Sequence, residues 1–175
     1  DIGLLASVGV SKLQCHRPLT VAFFSTGDEL KDPEQELEPG QIYNSNRYFL
    51  AAQIAECGAI PLDLGRCPDD AASTGQFLLQ AAEQADCVIT TGGMSVGEED
   101  YVRQQVETLG CIDFWKLAIK PGKPVAFGQL QGTAFFGLPG NPVSAYVTFH
   151  LLVRPWLLKS MGLANLVDID LASAN

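Results

Sequence analysis

Hydrophobic positions fall into blocks that switch between a strand-like and a helix-like spacing. Leu19–Phe24 (LTVAFF) is an unbroken apolar run, as expected of a strand covered on both faces. The polar Ser25-Thr26-Gly27-Asp28-Glu29 follows, and residues 31–41, broken by Pro33, Pro39 and Gly40, predict a loop. Asn44 or Ser45 is placed to cap a helix running to about Cys57 and stopped by Gly58. Tyr48, Ala51, Ala52 and Ala55 are spaced within it for one packed face. The cycle then repeats, with a strand at Ala59–Leu64, a helix capped by Asp69 or Asp70 and ending near Gln84, and a strand at Cys87–Thr90. After a Gly-rich turn, a helix is predicted from about Tyr101 to Leu109, stopped by Gly110. Short strands are predicted near Ile112–Ile119, Val125–Phe127 and Thr133–Leu138. A final helix runs from Pro142 to about Lys159, with Pro155 expected to kink or tighten it.

Strands alternating with helices imply βαβ crossovers, hence an α/β fold with three layers, α/β/α, around a mainly parallel sheet. The expected organisation is the end of a helix and a linker over residues 1–18, an α/β domain over 19–163 and a tail over 164–175. In such sheets ligands sit beyond the carboxyl ends of the strands. The strand-to-helix junctions Thr26–Glu29, Pro68–Asp70, Thr91–Asp100 and Pro139–Ser144 should therefore share one edge, and the amino ends carry nothing comparable.

Composition narrows the function. With 175 residues, 47% of them apolar and 18% charged, the chain is neither disordered nor a coiled coil. The net charge of −9 argues against a general nucleic-acid binder. No apolar run reaches the ~20 residues of a membrane-spanning helix, and no signal peptide is expected. The first residue, Asp1, suggests a processed chain or a piece of a longer one. Five cysteines without a CxxC pair fit a reducing, cytoplasmic setting. His16 and His150 lie in different segments and support neither a zinc site nor a Ser/His/Asp triad.

Four groups of residues carry candidate chemistry. Gly92 and Gly93, with Ser95 close behind, form a Gly-rich turn directly after a buried strand. Its backbone N–H groups can cradle an anion, or it can simply be a tight turn with positive φ. Glu29, Asp69 and Asp100 each follow a different strand, which makes a carboxylate Mg²⁺ site reasonable, although Asp69 can equally be a helix cap. Lys116, Lys120 and Lys123 are half of all the lysines, packed into eight residues of an acidic chain and stiffened by Pro121 and Pro124. They suit an oxyanion, or are ordinary solvated lysines. Pro139-Gly140-Asn141-Pro142-Val143-Ser144 joins a strand to a helix N-terminus, where free N–H groups and the Ser144 hydroxyl can meet an anion.

Five segments carry a resemblance: Ser25–Leu30 (STGDEL), Gly40–Asn46 (GQIYNSN), Thr91–Tyr101 (TGGMSVGEEDY), Lys120–Pro124 (KPGKP) and Leu138–Ser144 (LPGNPVS). In this order they resemble the molybdopterin molybdenumtransferase family, the MoeA and gephyrin E-domain type, and cover its central molybdopterin-binding domain over about residues 1–163. The resemblance implies insertion of molybdate into adenylylated molybdopterin, with Mg²⁺, in the last step of molybdenum cofactor assembly. It implies acidic roles for Glu29, Asp69 and Asp100, basic roles for Lys116, Lys120 and Lys123, and a place beside the oxyanion for Ser144. Thr26, Gly27, Gly92, Gly93, Ser95, Pro139, Gly140, Asn141 and Pro142 would line the pterin site. A homodimeric full-length protein, and the adenylyltransferase of the pathway as a partner, also follow from the resemblance. Asn44 departs from the family motif, which more often has Asp there. Two alternatives share the fold: the adenylyltransferase itself, and a molybdopterin-binding or scaffolding module without turnover.

Overall fold

The computed structural model describes residues 1–93, 101–116 and 124–163. A short helix, α1 (Ile2–Ser7), precedes β1 (Thr20–Thr26). Then come β2 (Leu30–Lys31), β3 (Ile42–Tyr43), α2 (Ser45–Glu56), β4 (Ile60–Cys67), α3 (Ala71–Gln84), β5 (Cys87–Thr91) and α4 (Tyr101–Leu109). The chain continues through β6 (Gly110–Lys116), β7 (Pro124–Leu130), β8 (Thr133–Leu138), α5 (Pro142–Thr148), a π-helical turn at Phe149–Val153, and α6 (Arg154–Ser160).

Six strands form the main sheet in the order β4-β1-β5-β8-β7-β6. The first four are parallel, β7 runs antiparallel to them, and β6, antiparallel to β7, again runs in the direction of the first four. Alternation along β1 sends Val21 and Phe23 into one core and Ala22 and Phe24 into the other. All four side chains are fully buried, and burying each phenylalanine is worth ~1.5–3 kcal/mol relative to exposure. The first core is closed by Leu50 and Ile54 of α2, Phe149 and Val153 of the π turn and Leu157 of α6. Leu78 and Ala81 of α3 and Val102 and Val106 of α4 close the second. The α/β/α layering expected from the pattern is the architecture observed.

Several elements differ from the expectation. β1 runs on to Thr26, so Ser25 and Thr26 are buried strand residues rather than turn residues. The 31–41 loop is closed at its ends by a two-residue parallel pairing of β2 with β3, Leu30 opposite Ile42 and Lys31 opposite Tyr43. Gly110 opens β6 instead of lying in a turn after α4, and residues 117–119, expected in the same strand, lie outside the described residues. The final helix does run from Pro142 to Ser160, but before Pro155 it widens into a π turn rather than tightening. A proline lacks an N–H and its ring crowds the carbonyl four residues back, so a wider turn ahead of it relieves both problems.

The five cysteines are free thiols. Burial pushes the Cys67 thiol up to about 11, and it pushes the enclosed Cys87 thiol up as well. Cys15 and Cys111 are exposed. Because the thiolate is the nucleophile, native labelling with iodoacetamide near pH 8 is expected to modify Cys15 and Cys111 and spare Cys67 and Cys87 until the chain is unfolded. Peptide mass mapping checks this, and early modification of Cys87 would contradict the packing.

Candidate functional site

The strand order fixes where a ligand can enter. From β1 the chain crosses to β4 through α2 on one face, and from β5 it leaves through α4 on the other. The connections diverge between the adjacent β1 and β5, and such a reversal opens a crevice at the carboxyl ends of the strands. The carboxyl ends of β1, β4, β5 and β8 lie on this one edge, because those strands are parallel. β6 also ends there, since Lys116 pairs with Pro124 at the start of the antiparallel β7.

Glycine shapes the crevice. Gly92 and Gly93 have φ of +85° and +61°. A Cβ on Gly92 would lie 2.6 Å from the Thr26 carbonyl oxygen, and one on Gly93 would lie 2.9 Å from Thr26 Oγ1 and 2.6 Å from Val102 Cγ2. Both positions therefore exclude a side chain through their conformation and through the close approach of β1. The Gly92 N–H donates to the Leu138 carbonyl at 3.2 Å, and a Cβ on Gly140 would lie 3.5 Å from Gly92 Cα. The turns after β1, β5 and β8 thus meet at one point.

Buried polar groups lie beneath these turns. Ser25 Oγ donates to Asn44 Oδ1 at 3.2 Å and shares a 2.9 Å hydrogen bond with Thr91 Oγ1. Asn44 Oδ1 also accepts from the Arg47 N–H, capping α2. Asn44 is therefore a structural cap, and its neutral amide suits that role. Asn46 Nδ2 donates to the Gly140 carbonyl at 2.8 Å, tying α2 to the turn after β8. Among the described residues, Thr26 Oγ1, Asn46 Oδ1 and Thr90 Oγ1 are buried without a hydrogen-bond partner. A buried polar atom left unpaired costs roughly 1–3 kcal/mol, so three at one edge mark a place shaped for something other than stability.

The charged candidates lie at the rim. Glu29 is exposed, and its carboxylate reaches back over Gly27, with Oε2 2.6 Å from where a Cβ on that glycine would be. Asp69 is exposed directly after β4. Asp70, not Asp69, caps α3, accepting from the Ser73 N–H at 2.8 Å; that hydrogen bond lowers its carboxyl pKa. Asp100, Ser95, Lys120 and Lys123 lie outside the described residues. Among the described residues, no group of three or more His, Cys, Asp or Glu side chains is close enough to hold a metal ion. Sequence reasoning missed Arg66, whose Nη1 bonds Asp28 Oδ1 at 3.3 Å and the Gly27 carbonyl at 3.4 Å, pinning the turn after β1. It also missed Ser25 and Asn46 as site residues, although both stand inside the quoted motifs. The available signal was the pairing of two short polar residues on strand and helix ends that face one crevice.

The helix N-terminus after β8 is partly spent. Asn141 Oδ1 accepts from the Val143 and Ser144 N–H groups at 3.0 and 3.2 Å, Pro142 has no N–H, and the Ala145 N–H donates to the Asn141 carbonyl. Its anion-binding capacity therefore rests on the Ser144 hydroxyl and on the backbone just ahead of the helix, not on the first-turn amides.

An α/β domain with glycine turns and unpaired hydroxyls gathered at the switch point of its sheet is a small-ligand-binding domain of the doubly wound class. Residues 22–159 match the family described as "Probable molybdopterin binding domain", and the chain belongs to that family. It is 48% identical over 162 residues to a molybdopterin molybdenumtransferase of Haemophilus influenzae, a match covering 93% of this chain and 40% of that protein. A molybdopterin molybdenumtransferase of Nostoc is 40% identical over 169 residues, covering 94% of this chain and 39% of that one. The solved structure of a molybdopterin biosynthesis MoeA protein from Pyrococcus horikosii superposes with a TM-score of 0.84 at 37% identity, covering 93% of this chain and 40% of that chain. The chain thus spans about two fifths of the length of these relatives.

Proposed function

We propose that this chain is the ligand-binding core of an enzyme that inserts molybdate into adenylylated molybdopterin, the last step of molybdenum cofactor assembly. The convergence of the Gly92-Gly93 turn, Thr26 and the Pro139–Asn141 turn in the crevice between β1 and β5 carries the reading. The two curated relatives named as molybdopterin molybdenumtransferases support it.

In this reading Thr26, Gly27, Gly92, Gly93, Ser95, Pro139, Gly140, Asn141 and Pro142 hold the pterin and its phosphate, with Ser144 beside the oxyanion. Lys116, Lys120 and Lys123 hold molybdate, and preorganised positive charge offsets the charge that builds on the transferring groups. Glu29, Asp69 and Asp100 are oxygen donors of the kind that Mg²⁺ prefers, and the ion would complete its shell with substrate phosphate oxygens. Bound there, Mg²⁺ would withdraw charge from the pyrophosphate link. The five free thiols fit a cytoplasmic setting, and among the described residues no helix is long and apolar enough to cross a membrane. The resemblance supports a homodimeric full-length protein and substrate supply by the adenylyltransferase of the pathway.

The test is AMP release from adenylyl-molybdopterin, measured on this chain and on a chain extended at both ends to the length of its relatives. Molybdate-dependent release is expected, much faster from the extended chain. Consumption of ATP with molybdopterin would instead mark an adenylyltransferase, and tight binding without release by either chain would mark a non-catalytic module.

A further inference from the structure

We propose that Asn46 is a positioning residue that sets the Gly140–Asn141 peptide group for the ligand. This rests on the function proposed above. Asn46 is the second residue of α2 and is only 7% exposed. Its Nδ2 donates to the Gly140 carbonyl at 2.8 Å, across 94 positions of sequence.

Nothing in α2 requires this residue. The helix is already capped by Asn44, asparagine is a poor helix former, and Asn46 Oδ1 is left buried without a partner among the described residues. The amide orientation that satisfies the Gly140 carbonyl is the one that leaves Oδ1 unpaired. The clamp has a geometric consequence at the site. In a trans peptide the C=O and the following N–H point in opposite directions. Holding the Gly140 carbonyl toward α2 therefore turns the Asn141 N–H away from it.

That N–H makes no hydrogen bond among the described residues, whereas the Val143 and Ser144 N–H groups are both taken by Asn141 Oδ1. It is a backbone donor that the turn still offers to an anionic group. Gly140 also lies against Gly92, so an error in its orientation would reach the Gly92-Gly93 turn.

Asn46→Ala removes the donor, and Asn46→Asp keeps the shape while setting a carboxylate oxygen against the Gly140 carbonyl. Ile54→Val, a milder change in the core face of the same helix, controls for lost stability alone. Two readouts are taken on the full chain: amide hydrogen exchange over residues 139–145, and the dissociation constant for molybdopterin. Both Asn46 variants are expected to speed exchange in that turn, leave the interior of α2 protected, and weaken binding about ten-fold, the worth of one ordinary hydrogen bond. Ile54→Val should leave the turn and the affinity unchanged. Unchanged exchange in both Asn46 variants, or faster exchange with wild-type affinity, overturns the proposal. If the alanine variant does not fold, Asn46→Ser, too short to reach Gly140, takes its place. If the wild-type chain itself does not bind molybdopterin, the functional reading fails, and the exchange data still decide whether Asn46 holds the turn.

Discussion

Gly92→Ala is expected to lower the thermal midpoint by about 4–20 °C and to abolish measurable molybdopterin binding. The left-handed conformation at φ +85° costs a residue with a Cβ roughly 1–2 kcal/mol. The added methyl would sit 2.6 Å from the Thr26 carbonyl oxygen, and forcing an atom into a packed site adds roughly 1–3 kcal/mol. For a chain of this size each kcal/mol moves the midpoint by about 2–4 °C. Gly58 supplies the control. It has nearly the same φ, +83°, but a Cβ there would meet nothing within 4 Å. Gly58→Ala therefore carries only the conformational cost, about 2–8 °C, and lies far from the crevice, at the end of α2. The excess of Gly92→Ala over Gly58→Ala isolates the close approach of β1 to the turn after β5. Calorimetry with a ligand titration of both variants checks it. Equal melting shifts with binding retained at Gly92→Ala would show that the turn neither crowds β1 nor touches ligand.

The contrast between these two glycines also shows what the sequence can and cannot display. Gly58 reads as a helix stop and Gly92 as part of a turn that can cradle an anion, but neither reading shows what a Cβ would meet, because the letter Gly records conformational permission and not what lies opposite. Strands such as LTVAFF and helices with clear stops were legible because their signal is local and periodic. The gathering of four junctions on one edge was legible too, since parallel connectivity alone enforces it. The Asn46 clamp on Gly140 was not, because it joins residues 94 positions apart and leaves no periodic trace. The choice between Asp69 and Asp70 as cap of α3 was open for a different reason: adjacent identical residues differ only in which side chain faces the Ser73 N–H, and backbone geometry decided for Asp70. The anion capacity assigned to the helix after β8 was overstated because the residue that starts the helix, Asn141, also consumes its amides. The widened turn before Pro155 follows from a proline whose effect was foreseen and whose direction was not.

Lys120→Ala and Lys123→Ala are each expected to raise the molybdate concentration needed for half-maximal insertion by about one to two decades, the worth of a desolvated, charge-assisted hydrogen bond of roughly 1.5–3 kcal/mol. The placement behind this comes from the flanking strands. Lys116 ends β6 and Pro124 begins β7, the two are paired, and the pair lies at the edge that carries the carboxyl ends of β5 and β8. The stretch that holds both lysines therefore leaves and re-enters the sheet on the edge where the crevice opens, with β7 two strands and β6 three strands from β5. Charge sharpens the expectation. The chain carries 20 acidic residues against 11 lysines and arginines, and two of those arginines are committed near the crevice, Arg47 to Asp32 and Asp63, and Arg66 to Asp28. A dianion approaching this protein without the two lysines would meet a repulsive field. A lysine that is merely solvated gives a smaller effect that fades as salt rises, because exposed charges are screened over about 10 Å at 0.1 M ionic strength. The measurement is a molybdate titration of each variant, in the extended chain, at two ionic strengths, with folding followed by thermal melt. A shift that persists at high salt places the lysines on the oxyanion. An unchanged half-saturation point in both folded variants removes them from the site and leaves the Gly92-Gly93 turn and the Asn141 N–H to hold the anion.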